Sequence, residues 1–266
     1  MVNRINDKNI SKLIEKNERL DGRDLYEFRD LKITPNYINE TADGSAMIEL
    51  GDTKVLVGIS TDLESPYPDV PDQGMLITNV ELTPMAAPHY EPGPPGDEAT
   101  EIARVVDRGI RESGVIDLTD LVVEEGETCY AVFIDIHVLD YDGNLMDAAS
   151  IGAAAALLLG RLPEIDEDGE LDRDTYKDLP INGLPITLTG SKIGSKIVFD
   201  TTADEEDVRD SRLTATVKED GNIVNMQKGE SGPLSNEDIM EILETIQKKA
   251  EIYRERIKEA VEVQED

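Results

Sequence analysis

Residues 98–112 read EATEIARVVDRGIRE, and their apolar side chains recur at the spacing of an α-helix. The prolines and glycines of residues 84–96 exclude a helix directly before this stretch, because proline lacks the backbone donor that a helix interior needs. We therefore expect Asp97 to cap a helix that runs to about Ser113. Its apolar face should pack against a core, and this face carries Ile102, Val105, Val106, Gly109 and Ile110.

The same helix carries three arginines, Arg104, Arg108 and Arg111, at positions i, i+4 and i+7, which places them on one face. Two interpretations of this face remain open. The arginines could make weak ion pairs within the helix, Arg111 with Asp107 and Arg104 with Glu101. Alternatively, their guanidinium groups bind phosphate or an RNA backbone, since the planar fork of arginine matches phosphate oxygens.

The chain before this helix predicts one N-terminal helix followed by short strands. An amphipathic helix is predicted over about 7–18, with a charged turn, Arg19-Leu-Asp-Gly-Arg23, after it. Two strands, 46–50 and 54–60, should form a hairpin around the turn Gly51-Asp52. A further strand is predicted over 76–82.

The chain after this helix predicts a second set of strands and helices. Residues 128–140 predict a long strand that is buried on both faces, and 146–159 an Ala-rich helix that ends at Gly160. Shorter strands are predicted at 186–188, 197–199 and 213–217. The last helix begins with a capping box formed by Ser235 and Asp238, and then shows one apolar stripe.

This order of elements predicts an α/β (α+β) fold with two related lobes of mixed β-sheet, packed helices and a long C-terminal helix. The predicted divisions are an N-terminal lobe at 24–162, an acidic linker at 163–180 and a C-terminal lobe at 181–266. Hydrophobic residues make up 39% and aromatic residues only 4% of the 266, with no Trp, so the core should be mainly aliphatic.

The net charge of −32 argues against a polyanion as partner, because such a chain repels polyanions on average. Adaptation of the solvated surface, for example to a salty cytoplasm, is the simpler explanation. The single cysteine, Cys129, excludes an internal disulfide and is expected to be buried. Without an apolar signal region or a run long enough to span a bilayer, the chain is expected to be soluble and cytoplasmic.

No Walker loop, dinucleotide fingerprint or zinc spacing is present in the sequence, so we predict no cofactor and no metal. Instead, a series of motifs in order along nearly the whole chain resembles the RNase PH family. These motifs are Arg19-Leu-Asp-Gly-Arg23, Gly44-Ser45, Gly51-Asp-Thr-Lys-Val55, Glu81-Leu-Thr-Pro-Met-Ala-Ala-Pro88, the arginine helix from Glu101 to Ser113, and Asp142-Gly143. The chain looks most like the non-catalytic RNase PH-like subunits of the archaeal exosome.

This resemblance implies a ring of three heterodimers, in which catalytic and non-catalytic subunits alternate and RNA is degraded from its 3′ end by attack of inorganic phosphate. The implied partners are the homologous catalytic RNase PH-like subunit, RNA-binding cap proteins with S1 and KH domains, and single-stranded RNA. In the family the arginine helix helps line the RNA path at the interface between subunits. The resemblance therefore assigns RNA binding to Arg104, Arg108 and Arg111.

Two departures from the family's pattern predict that the chain lacks catalytic residues. Active members hold phosphate with a Gly-Thr/Ser-Arg run at a helix N-terminus, but here Leu145 and Met146 offer no hydroxyl and no charge. Asp147, in the same turn, is expected to repel phosphate. The family's catalytic aspartate aligns with Arg212, which cannot act as a general acid, although an alignment slip of two would place Asp210 there.

The leading hypothesis is a non-catalytic subunit that binds RNA and helps to structure the active site of its catalytic homologue. An active phosphorolytic 3′–5′ exoribonuclease and a purely architectural ring subunit, or acidic adaptor for basic proteins, remain the alternatives. Residues Asp204–Asp207 are expected to form a solvated loop, with cation binding as the alternative. Ion pairs, rather than RNA contacts, are expected for Arg19, Arg23 and Arg29.

Overall fold

The structure, a computed structural model, describes residues 3–263 of the chain. Its helices are α1 (Asn3–Glu15), α2 (Asp97–Ser113), α3 (Leu145–Leu158), α4 (Ala203–Glu206) and α5 (Asn236–Glu262). Its strands are β1 (Leu31–Pro35), β2 (Gly44–Leu50), β3 (Thr53–Glu64), β4 (Met75–Leu82), β5 (Val122–Glu124), β6 (Thr128–Asp140), β7 (Arg161–Ile165), β8 (Leu171–Asp178), β9 (Ile186–Ile193), β10 (Lys196–Phe199), β11 (Ser211–Val217) and β12 (Ile223–Gly229).

The strands form two main sheets, which confirms the predicted fold class. The first sheet has the order β1-β2-β3-β6-β4, with β5 added beside β6, and it is mixed because β4 runs parallel to β6. The second sheet has the order β10-β9-β11-β12 and is antiparallel. The predicted hairpin around Gly51-Asp52 is present as β2 and β3.

Helix α3 lies between the two sheets and is buried along almost its whole length. It packs against β2 and β3 on one side and against β9 on the other. Its small side chains permit this close approach: a Cβ atom on Gly152 would lie only 2.6 Å from Cγ2 of Val57. The Ala-rich composition of this segment therefore reflects its position in the centre of the molecule.

Helix α2 also bridges the sheets, since it packs against β4 of the first sheet and β12 of the second. Its predicted apolar face is buried, as expected. The helix ends at Ser113 as predicted but begins one residue earlier, because its N-cap is Gly96 and Asp97 is already helical. The chain leaves the helix at Gly114, whose φ of 66° lies in the left-handed region that glycine tolerates.

The two terminal helices cover the second sheet and its edge. Helix α5 begins with the predicted capping box of Ser235 and Asp238, and its apolar stripe packs on β9 and β11. Helix α1 packs two isoleucines, Ile10 and Ile14, into a small cluster with residues of β9 and β10. It ends at Glu15, earlier than predicted, and the left-handed φ of 61° at Asn17 lies directly beyond its last turn.

Two predictions about the strands were wrong. The predicted acidic linker at 163–180 contains most of a hairpin, β7 and β8, in which polar side chains occupy exposed positions of a two-stranded ribbon. The long strand β6 is not buried on both faces, because Phe133, Asp135 and His137 alternate with its fully buried residues and stay partly exposed. The division of the chain into lobes at 163–180 stays a prediction.

Within residues 3–263, no helix combines the length and the apolar composition that crossing a membrane requires.

Candidate nucleic-acid interface and the adjoining carboxylate pocket

The outer face of α2 presents the three predicted arginines to solvent, but they differ in their contacts. Arg104 and Arg108 are exposed and make no hydrogen bond or ion pair with any residue in the described part of the chain. Arg111 donates hydrogen bonds to both carboxylate oxygens of Asp107, at 3.1 and 3.2 Å, and to the carbonyl oxygen of Leu76 at 2.9 Å. The predicted pair of Arg111 with Asp107 is thus confirmed.

The second predicted pair on this helix is wrong, because Glu101 binds a different arginine. Nη2 of Arg212, on β11, donates to Oε2 of Glu101 at 2.6 Å. This contact turns Glu101 towards the second sheet and leaves Arg104 without an acidic partner on its own helix. Arg104 and Arg108 are therefore neighbouring exposed cations without an ion-pair partner among the described residues, in a chain whose net charge is −32.

The turn before α3 is held tightly against the segment that precedes α4. Gly143 has a φ of 79°, and a Cβ atom on it would lie 2.5 Å from the carbonyl oxygen of Thr201. Asn144, with a φ of 55°, then starts the helix. Leu145 and Met146 are both buried, so the first turn of α3 offers no polar side chain at these two positions, as predicted.

Asp147 does not repel anions as we expected from the sequence. Its side chain is fully buried, and burial raises the pKa of Asp147 to about 8, with the nearby charge of Asp200 acting in the same direction. Hydrogen bonds such as the one from Nδ2 of Asn144 to Oδ2, at 3.2 Å, oppose this rise without cancelling it. At neutral pH the carboxyl group is therefore mainly protonated and uncharged.

The negative charge at the start of α3 comes instead from Glu206, in α4. Its Oε1 accepts hydrogen bonds from the backbone N–H of Asn144 at 3.1 Å and from Nη1 of Arg209 at 2.9 Å, and its Oε2 accepts one from the hydroxyl of Tyr141 at 2.8 Å. Glu206 and Glu98 both line a small cavity beside α2. Burial, and then the charge of Glu206, raise the pKa of Glu98.

Arg212 belongs to an ion-pair network. It occupies the position at which the sequence comparison with the family places the catalytic aspartate. Besides Glu101 it reaches Glu230 at 3.4 Å, and Glu230 also binds Arg209 at 2.8 Å. The network joins α2, β11 and the residue that follows β12, next to a cavity of about 50 Å³. Arginine side chains only donate hydrogen bonds in proteins, so this residue type cannot act as a general acid or base.

Asp210, the alternative if the alignment slips by two residues, lies elsewhere. Its side chain is exposed, and Oδ2 accepts a hydrogen bond from the backbone N–H of Gly194 at 2.7 Å, in the turn between β9 and β10. It does not line the cavity beside Arg212.

The acidic cluster Asp204–Asp207 is a short helix rather than a solvated loop. Two of its members are exposed, but Glu205 is buried and makes an ion pair with Arg19 at 2.6 Å, while Glu206 lies at the start of α3. Their oxygens are already occupied by arginine and backbone donors. Across residues 3–263, no three His, Cys, Asp or Glu side chains are arranged to hold a metal ion.

The three N-terminal arginines form the predicted ion pairs. Arg19 binds Glu205, while Arg23 and Arg29 both bind Asp200, at 2.9 and 2.7 Å. Burial alone would raise the pKa of Asp200, but the hydrogen bonds and charge of Arg29 outweigh it and lower that pKa. These arginines are structural, because each guanidinium group is largely buried among its partners.

Sequence reasoning missed Glu206, Arg209 and Tyr141 as parts of this site. Glu206 and Arg209 are three residues apart, a spacing typical of ion pairs on one helical turn, and this was the one available signal. Nothing in the sequence indicates that Tyr141, which is far from them along the chain, donates to the same carboxylate.

Comparison with protein families identifies two matching domains along the chain. The first domain of the 3′ exoribonuclease (RNase PH) family matches residues 27–163, and the second domain of that family matches residues 183–249. The chain therefore belongs to the RNase PH family.

Within that family the chain is similar to exosome components. It is 50% identical over 256 residues to the exosome complex component Rrp42 of Thermococcus kodakarensis, covering 95% of this chain and 94% of that protein. It is 46% identical over 257 residues to Rrp42 of Pyrococcus furiosus, covering 95% and 92%. A subunit of the Archaeoglobus fulgidus exosome with RNA bound to the active site has a TM-score of 0.90 at 43% identity, covering 96% of this chain and 98% of that one. A chain of an archaeal exosome core has a TM-score of 0.86 at 40% identity, covering 97% and 98%.

Proposed function

We propose that this chain is a non-catalytic, RNA-binding subunit of an exosome that degrades RNA from its 3′ end, working beside a homologous catalytic RNase PH-like subunit. The observation that carries this proposal is the pair of exposed arginines, Arg104 and Arg108, that have no partner in the described part of the chain. The similarity to exosome components, one of them with RNA bound, supports the same role.

The two free arginines suit a phosphate backbone. They are four residues apart on α2, so their side chains lie about 6 Å apart at the helix surface and can contact neighbouring phosphates of one strand. Arg111 contributes less to such binding, because its guanidinium group already donates to Asp107 and Leu76. Its pairing reduces the expected number of phosphate contacts from three to two.

The lining of the pocket beside α2 supports the proposed absence of catalysis by this chain. Leu145 and Met146 are apolar, and the negative charge of Glu206 lies at the start of α3. The two arginines of the pocket, Arg212 and Arg209, are held in ion pairs with glutamates of this chain. We infer that the active site belongs to the catalytic partner and that α2 guides RNA towards it.

RNA binding is tested with the complex reconstituted from this chain and its catalytic homologue. The affinity for a single-stranded oligonucleotide is measured at several salt concentrations for the wild type and for the double variant Arg104→Ala/Arg108→Ala. Each phosphate contact to a single strand contributes about 0.7 to the slope of log K against log salt, so the variant should lose about 1.4 of that slope. Unchanged affinity and slope would favour the purely architectural alternative.

A matched control removes the same charge elsewhere. The double variant Lys12→Ala/Lys248→Ala loses two exposed cations from α1 and α5, and should leave the slope unchanged if only α2 contacts RNA. The purified chain alone is also incubated with RNA and inorganic phosphate. We expect no release of nucleoside diphosphates until the partner is added; release by the chain alone would support the active exoribonuclease instead.

A further inference from the structure

The guanidinium group of Arg212 ties helix α2 to the second sheet through Glu101. Nη2 of Arg212 donates to Oε2 of Glu101 at 2.6 Å, and Nε2 of Gln227, on β12, makes a longer contact of 3.5 Å with Oε1. Both oxygens of Glu101 are thus bound by side chains of the second sheet. The side chain of Arg212 is only 10% exposed, so it is held inside the molecule and is not presented to solvent.

The end of β12 is shaped to hold this guanidinium group. Gly229 lies opposite Arg212 in the register of β11 and β12, and a Cβ atom on Gly229 would lie 2.6 Å from Nε of Arg212. Glu230 follows with a left-handed φ of 54°, which is uncommon for a residue other than glycine, and its Oε1 accepts hydrogen bonds from Arg212 and Arg209. Because a side chain at position 229 would displace Arg212, the contact with Glu101 depends on glycine there.

Glu101 lies where its carboxylate could neutralise the exposed cations of α2. It precedes Arg104 by three residues, the spacing at which a carboxylate and a guanidinium group pair on a helix surface. Arg108 follows one turn later on the same side of the helix. One third of the Glu101 side chain remains exposed, so this carboxylate lies at the edge of the surface that carries the two arginines. The partner that Glu101 binds therefore decides whether Arg104 is free.

We infer that Arg212 is a positioning residue for RNA binding: by holding Glu101 against the second sheet, it leaves Arg104 free to contact a phosphate. This inference rests on the proposed binding of RNA by Arg104 and Arg108, and it adds a residue that acts on that surface without touching RNA. An uncharged side chain at position 212 releases the carboxylate of Glu101. The released carboxylate then pairs with Arg104 and competes with the RNA phosphate for the same guanidinium group.

The experiment measures the affinity of the reconstituted complex for a single-stranded oligonucleotide at several salt concentrations. Arg212→Met should weaken binding about two- to fivefold at low salt, which is the effect expected of one exposed ion pair. The slope of log K against log salt should fall by up to about 0.7, because Arg104 no longer contacts a phosphate. Arg212→Lys keeps a cation beside Glu101 and should retain more of the wild-type affinity than Arg212→Met.

Two double variants separate this role from a direct contact between Arg212 and RNA. Arg212→Met/Glu101→Gln lacks the carboxylate that would pair with Arg104, so its affinity and salt slope should return to the wild-type values. A loss that persists in this variant would mean that Arg212 binds RNA itself or only supports the fold, and it would overturn the inference. When Arg104→Ala is already present, Arg212→Met should weaken binding little further, and a full additional loss would contradict the inference as well.

Urea unfolding of each variant shows whether the fold is retained. If Arg212→Met does not fold, Gly229→Ala takes its place, because the added methyl group displaces the guanidinium group without changing any charge. It should weaken RNA binding to a similar extent, and unchanged binding by a folded variant would overturn the inference. The proposed function fails separately, if Arg104→Ala/Arg108→Ala binds RNA like the wild type. If that variant binds weakly but Arg212→Met binds normally, the positioning role of Arg212 alone is wrong.

Discussion

The buried carboxyl group of Asp147 should make the stability of this protein depend on pH in an unusual direction. Burial raises its pKa to about 8 in the folded chain, whereas aspartate in an unfolded chain has a pKa of about 3.9. Between these two values the folded state binds a proton that the unfolded state has released. The free energy of unfolding should therefore fall as pH rises, and the fall should end above about pH 8.

The size of this effect follows from the pKa difference. Each pH unit between the two pKa values removes about 1.4 kcal/mol, so the step from pH 5.5 to pH 8 should cost about 3 kcal/mol through this one group. That amount is a large part of the 5–15 kcal/mol typical of folded domains. An ionised Asp147 would also be poorly stabilised, because Oδ1 has no hydrogen-bond partner within residues 3–263.

The assay compares urea unfolding of the wild type and of Asp147→Asn at several pH values between 5.5 and 8.5 and at fixed ionic strength. Asparagine has the same shape but cannot ionise, so the stability difference between the two proteins should shift by about 3 kcal/mol in favour of the variant across this range. Asp168→Asn, in an exposed turn, serves as the control and should show no such shift. If the difference in unfolding free energy between the wild type and Asp147→Asn stays constant with pH, Asp147 does not have a raised pKa in the folded chain.

Three further outcomes are expected. Replacing Arg19 by Met leaves Glu205 buried without its partner and should destabilise the fold by about 3–5 kcal/mol in chemical unfolding, and Arg19→Met/Glu205→Met should recover most of that loss. Gly152→Ala should lower the unfolding temperature, at a cost of about 1–3 kcal/mol, because the added methyl group meets Val57 at 2.6 Å; a gain in stability would mean that α3 can move away. The free energy of unfolding should rise between 0.1 and 1 M potassium chloride, as salt screens the repulsion within a chain of charge −32, and a fall would contradict this.

The elements with strong periodicity were predictable from the sequence. Helix α2 was predicted to within one residue at its start and with its observed end at Ser113, because a proline-rich segment precedes it and a glycine follows. Helix α5 was predictable because a capping box precedes its apolar stripe. The exposure of Arg104 and Arg108 also follows from helical spacing alone. Such features depend on neighbouring residues in the chain, which a single sequence displays directly.

The features that were missed depend on contacts between distant segments. Glu101 was assigned to Arg104 on its own helix, but Arg212 on β11 binds it instead. Asp147 was assigned a negative charge, yet its environment is set by the packing of α3 between two sheets, and burial removes that charge near pH 7. The charge of a buried group is a property of its surroundings, so residue type alone cannot predict it.

The position of α3 has a consequence for cooperativity. The family's two domains match separate stretches of this sequence, as though each could exist alone. Yet α3, which belongs to the first stretch, is covered by β9 and α5 from the second. Either half by itself would expose this alanine-rich helix to water. The whole chain should therefore unfold in a single transition. The boundary between the two matched domains is plain along the sequence, but it does not separate two units of stability.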